Sequence, residues 1–180
     1  MVRGSRRCAM SFPAGAAGSS CRMSCPDSPR TDDLIPSLGG IVAATRSSQD
    51  PWWLIGSAAM ALHGLGGLEI ADIDLLMSRK DALRMLREHG VAGRADGGTD
   101  RFRSEVFGQL PGLSLSVDVM AGFQVWDERA WREVLPTTRM AVAIPSGLVF
   151  VPTLPELIAI TRRLGRGKDL ARAEMLEALR

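Results

Sequence analysis

Within Trp52 to Ser78, WWLIGSAAMALHGLGGLEIADIDLLMS, two aspartates stand one residue apart inside an apolar run. Side chains alternate across an extended strand, so Asp72 and Asp74 leave one face while Ile73 and Leu75 enter the core on the other. Two carboxylates on one rigid face suit Mg²⁺, a hard cation that prefers carboxylate, water and phosphate oxygens to nitrogen or sulfur. Upstream, Gly56-Ser57 follows the apolar stretch Trp52-Trp53-Leu54-Ile55 and opens a helical pattern. Backbone N–H groups at such a helix start attract phosphates, and a glycine lets the ligand approach the main chain. The layout is that of a metal-dependent nucleotide-handling site.

Each piece also has an ordinary explanation. A Gly-Ser step after a strand is commonly a strand-to-helix turn with the serine, here Ser57, as N-cap. An Asp-x-Asp pair is commonly a solvated strand face. Yet Ile73, Leu75 and Leu76 are too apolar for a peripheral strand, and aspartate is a poor strand former. The anomaly recurs in LSLSVDVMAG, where Leu113, Leu115, Val117 and Val119 alternate with Ser114, Ser116 and Asp118.

The ordered trio of Gly56-Ser57, Asp72-x-Asp74 and Asp118 resembles the signature of the nucleotidyltransferase superfamily with the DNA polymerase β-like fold. The nearest flavour is the small bacterial group of AbiEii-type toxins and minimal antibiotic nucleotidyltransferases. The resemblance spans roughly Leu34 to the C-terminus. It implies an α/β (α+β) fold, a mixed sheet flanked by helices with a short C-terminal helical segment. It also implies a Mg²⁺-dependent enzyme that moves NMP from an NTP, ATP among them, to an acceptor hydroxyl on a tRNA end, a protein or a small molecule such as an antibiotic. Asp72 and Asp74 would bridge two Mg²⁺ ions, with Mn²⁺ as a substitute, and Asp118 would hold the ion nearest the acceptor. Gly56 and Ser57 would meet the β- and γ-phosphates. The run TRRLGRGKDLAR is similar to the Gly-Arg-x-Lys-Asp segment of small members and offers Arg166 and Lys168 to the nucleotide; a solvated helix flank reads equally well. The other class of function is a weakened nucleotide- or partner-binding module, such as one half of a toxin–antitoxin pair with an antitoxin or homodimer partner. The chain departs from the family pattern where an Arg and a Thr often precede the Asp-x-Asp pair, here Leu68 to Ala71. Thr161 stands where a lysine is frequent and Arg172 where an acid is.

Positioning these residues calls for alternating elements. Leu34–Ser48 reads as an opening helix, Trp52–Ile55 as a strand, Ser57–His63 as a short helix and Asp72–Met77 as the second strand. A helix from Asp81 to His89 stops at Gly90, with Leu83 and Leu86 inward, and Gly90–Asp100 reads as a loop. Phe102–Phe107 and Leu113–Met120 form a hairpin around Pro111-Gly112, Asp127–Val134 a short helix, and Met140–Ile144 with Leu148–Val151 a β pair. Leu154–Leu164 and Lys168–Leu179 close the chain as helices. His63 reads as a helix-end packing residue and His89 as a surface residue.

At 180 residues one core is the natural count, divided as a basic disordered tail (1–30), a catalytic domain (31–152) and a helical appendage packed on it (153–180). Hydrophobic content of 46% and charged content of 23% are ordinary for a soluble globular protein. The longest apolar stretch, Met140 to Val151, is broken by Pro145-Ser146-Gly147, so no membrane span is expected. Residues 1–30 hold five arginines and one aspartate. Taken from totals of 22 basic and 20 acidic, these leave 17 and 19 for the rest. The body lacks the basic field of a duplex-DNA binder. Cys8, Cys21 and Cys25 all lie in the tail, an odd number that gives no disulfide framework and reads as incidental thiols.

Overall fold

The computed structural model describes residues 33–96 and 98–180; the tail of residues 1–30 and its three cysteines lie outside them. A first helix, α1 (Leu34–Ala44), runs into a 3-10 turn at Thr45–Ser47. Strand β1 (Trp53–Ile55) leads directly into α2 (Gly56–Leu62), and β2 (Asp72–Leu76) is followed by α3 (Arg79–Glu88). Then come β3 (Arg94–Asp96), β4 (Phe102–Leu110), β5 (Ser116–Ala121), β6 (Gln124–Trp126) and β7 (Trp131–Glu133). A separate hairpin, β8 (Met140–Ile144) with β9 (Gly147–Val151), precedes α4 (Leu154–Leu164) and α5 (Gly167–Glu177). The fold class is the expected one, a mixed sheet flanked by helices with a helical C-terminus.

The seven-stranded sheet has the order β1-β2-β5-β4-β6-β7, with β3 also paired to β4. The β2–β5 pair is parallel and the others are antiparallel. Period-two alternation is realised as the sequence implies: Ile73, Leu75, Val117 and Val119 are fully buried, while Asp72, Asp74 and Asp118 on the opposite face are half-buried. The buried set packs against Leu38 and Ile41 of α1 and Ala82, Met85 and Leu86 of α3 as the main core. A second, smaller core covers part of the carboxylate-bearing face. It joins Ile55, Leu76, Met120 and Phe123 to Ile160 and Leu164 of α4.

Several local expectations are corrected. Asp127–Val134 is not a helix but the turn and second strand of the β6–β7 hairpin. Asp127 Oδ1 accepts N–H bonds from Arg129 (3.1 Å) and Ala130 (2.9 Å), and Glu128 sits at φ 71°, so the local hydrogen bonding closes a turn. Within Gly90–Asp100, Arg94–Asp96 forms a strand because the long β4 offers it a free edge. Ser57 is not an N-cap: α2 begins at Gly56, with Ile55 in the cap position and no side-chain cap. Nor does α3 start at Asp81. Its cap is Ser78, whose side chain accepts from Asp81 N–H at 3.2 Å.

Asp81 is fully buried. It accepts the N–H groups of Gln49 and Asp50 (2.9 Å each) and a guanidinium bond from Arg84 (2.9 Å), tying α3 to the segment before β1. Burial alone raises its pKa, but the bonds from Asp50, Arg84 and Gln49 outweigh it and hold the carboxyl below the usual value.

Candidate active site

Parallel pairing of β2 with β5 sets Asp74 directly opposite Asp118 and Asp72 opposite Ser116. Antiparallel pairing of β1 with β2 sets Ile55 opposite Asp74, so the chain turns into α2 at Gly56 beside that carboxylate. Gly56 has φ 66°, and a Cβ there would collide with Asp74 Oδ2. Glycine is therefore required twice, by the left-handed backbone and by the space the carboxylate fills.

Asp74 and Asp118 line a cavity of about 270 Å³, together with Gly56, Arg166 and Arg172 and an apolar wall that includes Phe102, Phe107 and Phe123. The Asp74 carboxyl is pushed up to about 7. Burial is the main cause, the charges of Asp72 and Asp118 add to it, and Arg166 and Lys168 act in the opposite direction. Two like charges facing each other on adjacent strands beside an apolar wall form an unfavourable arrangement that a divalent cation would relieve. The donor set, hard oxygen on a rigid face with a glycine clearing the space above it, fits Mg²⁺.

Asp72 lies on the same face but one alternation away, outside the lining of this cavity. Among the described residues no group of three or more His, Cys, Asp or Glu side chains is gathered closely enough to enclose a metal ion. Asp118 is held by Gln109, whose Nε2 donates to Oδ1 at 2.9 Å across the β4–β5 pair.

The C-terminal basic segment does reach the site. Arg166 precedes α5, its Nε and Nη2 donate to the buried Asp169 carboxylate at 2.7 and 3.0 Å, and its guanidinium carbon lies 4.9 Å from the Phe102 ring centre. Asp169 also accepts Arg166 N–H at 3.1 Å, so one carboxylate both starts the helix and aims the cation. Lys168 is exposed and acts on Asp74 through charge alone. Ser57, the second residue of α2, is half-buried and outside the cavity lining. Thr161 turns inward and donates to Leu157 O at 2.7 Å, so it offers nothing to a ligand, whereas Arg172 lines the cavity. His63 bonds Pro152 O at 2.8 Å, a packing role, and His89 is exposed.

Sequence reasoning did not find Gln109 or the wall of Phe102, Phe107 and Phe123. Gln109 carried no signal of its own. Phe107 shares a strand face with Gln109, which the β4–β5 pairing sets beside Asp118, and Phe102 and Phe123 reach the cavity from the end of the sheet where β4 meets β6.

No protein-family model matches the chain, and no curated protein matches it. Solved structures do. TM1012 of Thermotoga maritima, described as a proposed nucleotidyltransferase, aligns with a TM-score of 0.64 at 19% identity over 83% of this chain and 96% of its own. The lincosamide antibiotic adenylyltransferase LnuA, solved with lincomycin bound, aligns at 0.50 and 10% identity over 80% and 96%. An antigenic nucleotidyltransferase-like protein from Paracoccidioides brasiliensis aligns at 0.50 and 14% identity over 83% and 76%. At these identities the likeness is one of fold: the chain has the architecture found in nucleotidyltransferases.

Proposed function

We propose that this chain is a Mg²⁺-dependent nucleotidyltransferase that transfers NMP from an NTP to an acceptor hydroxyl, acting in the cytoplasm. The observation that carries the reading is the in-register pairing of Asp74 with Asp118 at the wall of a cavity that also holds Gly56, Arg166 and Arg172. The fold shared with the solved nucleotidyltransferases supports it, and the Gly-Ser, Asp-x-Asp and Gly-Arg-x-Lys-Asp segments favour the small bacterial AbiEii-type group.

In the proposed reaction the acceptor oxygen forms a bond to the α-phosphorus, the bond from that phosphorus to the α–β bridging oxygen breaks, and pyrophosphate leaves with the electron pair. Mg²⁺, when bound, would stabilise charge on the attacking and leaving oxygens. Asp72, Asp74 and Asp118 would hold it. Asp118 would accept the acceptor's proton, with Gln109 fixing the orientation of its carboxylate. Arg166 and Lys168 would meet the phosphates, and the main chain at Gly56 and Ser57 would approach them without a side chain intervening. Phe102, Phe107 and Phe123 lower the local dielectric, which strengthens each of these charge interactions.

The second reading is a nucleotide- or partner-binding module of the same fold, in the manner of one half of a toxin–antitoxin pair. Its support is Asp72 standing outside the cavity together with the inward turn of Thr161. The deciding experiment measures thermal stabilisation by Mg²⁺ with a non-hydrolysable NTP and incorporation of labelled NMP into RNA, protein and small hydroxylated acceptors. Ligand stabilisation with transfer establishes the enzyme. Stabilisation without transfer to any acceptor establishes the module, and neither response overturns both readings.

A further inference from the structure

A second cavity, of about 340 Å³, opens on the same sheet face one alternation step beyond the carboxylates. Trp53 pairs with Leu76 just as Ile55 pairs with Asp74, and both Trp53 and Leu76 line this cavity. Two residues of strand cover about 7 Å. Phe123 belongs to the walls of both cavities, so they adjoin at this residue. The volume lies within the usual range of small-molecule sites, roughly 300–1,000 Å³.

Its lining combines an apolar floor with a negative rim. Trp53 donates its indole N–H to Thr138 O at 2.8 Å, which holds the ring in place, and Leu135 is 60% exposed at one side. Asp50, Glu105 and Glu133 bring three carboxylates against the single guanidinium of Arg79. None of the three carboxylates takes part in an ion pair or side-chain hydrogen bond among the described residues. Gly122 (φ 59°) turns the chain beneath Glu105, whose Cγ would lie 2.7 Å from a Cβ at that position. The glycine thus lets the Glu105 stem lie across the cavity's edge.

We propose that this cavity is the acceptor site, and that it takes a small organic cation with an apolar body and a hydroxyl group directed past Phe123 toward Asp74 and Asp118. The apolar body rests on Trp53, Leu76 and Phe123, and the ammonium is drawn by Glu105 and Glu133. Assignment as an acceptor site rests on the nucleotidyltransferase reading; binding of the cation does not.

Three probes of one shape test it: 2-amino-1-phenylethanol (cationic), 1-phenyl-1,2-ethanediol (neutral) and mandelate (anionic). Binding is followed by two-dimensional NMR of the tryptophan indole N–H groups and by calorimetry. The amine is expected to shift the Trp53 signal, leave Trp126 and Trp131 unmoved, and bind about tenfold more tightly than the diol, the ratio that ~1.4 kcal/mol produces. Glu105→Gln with Glu133→Gln should reduce the amine to the level of the diol, and Glu105→Lys with Glu133→Lys should reverse the order in favour of mandelate. Stabilisation by Mg²⁺–NTP, unchanged in these variants, reports that the fold and the nucleotide site are intact. Equal binding of amine and diol, absence of any Trp53 shift up to the solubility limit, or an order insensitive to both double variants overturns the cation site. Cation binding with no transfer of labelled NMP to the amine, in a protein that labels another hydroxyl compound, overturns the acceptor role alone.

Discussion

At Asp74 the burial of one carboxyl meets the charges of two others, and the proton is retained up to about pH 7. In the unfolded chain the same group loses its proton near pH 3.8. Between those values the folded state binds more protons than the unfolded state, so stability falls as pH rises through this window. Without divalent ions the melting temperature should therefore decline from pH 5 to pH 8. In Asp74→Asn the decline should be much shallower, with a higher melting point at pH 8, and metal-dependent transfer should be lost. A kilocalorie corresponds to about 2–4 °C for a chain of this size, so a pH series of thermal melts resolves the difference. Gly56→Ala provides the converse case. The added Cβ must displace the Asp74 carboxylate, and a left-handed conformation costs a non-glycine residue about 1–2 kcal/mol. Its melting temperature should drop by several degrees and Mg²⁺–NTP stabilisation should disappear, as read by melts with and without ligand.

Among the elements, α3 is tied to the segment before β1 by one buried side chain, in addition to its core residues Ala82, Met85 and Leu86. Asp81 accepts two backbone N–H groups from outside the helix, and hydrogen bonds to a charged group contribute about 1.5–3 kcal/mol each. Asp81→Ala leaves Gln49 and Asp50 without that acceptor and should lower stability by about 2–4 kcal/mol. Because its folded pKa is depressed, this stabilisation is present above pH 3.8 and is lost as pH falls below it. Urea unfolding at pH 7 and pH 3 should accordingly show a large difference between wild type and variant at pH 7 that shrinks at pH 3. On the sheet, β5 and β6 act as one bent strand: their pairing with β4 keeps the same register on both sides of Gly122-Phe123. That bend carries Phe123 into the wall shared by the two cavities.

For the molecule as a whole, the C-terminal helices are structural rather than dispensable. Leu157, Ile158, Ala173 and Leu176 belong to the main core, and Ile160 and Leu164 close the second. Removing residues 153–180 should leave a chain without a cooperative thermal transition, because a fully buried leucine or isoleucine contributes about 1.5–3 kcal/mol. Deleting residues 1–30, whose composition gives them few groups to bury, should by contrast change the melting temperature and nucleotide binding little. Calorimetric scans of both truncations test the pair together. A large drop on removal of the tail would show that it packs on the body. Among the described residues no helix is long and apolar enough to cross a membrane.

What the sequence determined by itself is local and periodic. Asp72 and Asp74 share a face because strand side chains alternate. Asp118 stands out because serines and one aspartate interrupt an otherwise apolar alternation, and Gly56 falls where strand meets helix. These patterns need only the geometry of one strand, and they singled out Asp74 and Asp118, two of the three aspartates that line the cavity. Tertiary structure alone decided which strands are neighbours. The parallel β2–β5 pairing that sets Asp74 against Asp118 joins segments separated by a helix and two other strands, and no periodicity encodes that register. The bond from Gln109 to Asp118 follows from the antiparallel β4–β5 pairing, and the wall of Phe102, Phe107 and Phe123 from the pairing of β4 with β5 and β6. The buried Asp81 was likewise invisible, since a carboxylate near a helix start reads as solvated until distant N–H groups are brought to it. The Asp127 turn was misread because its hydrogen bonds, formed within four residues, overrode a helical pattern too short to compete.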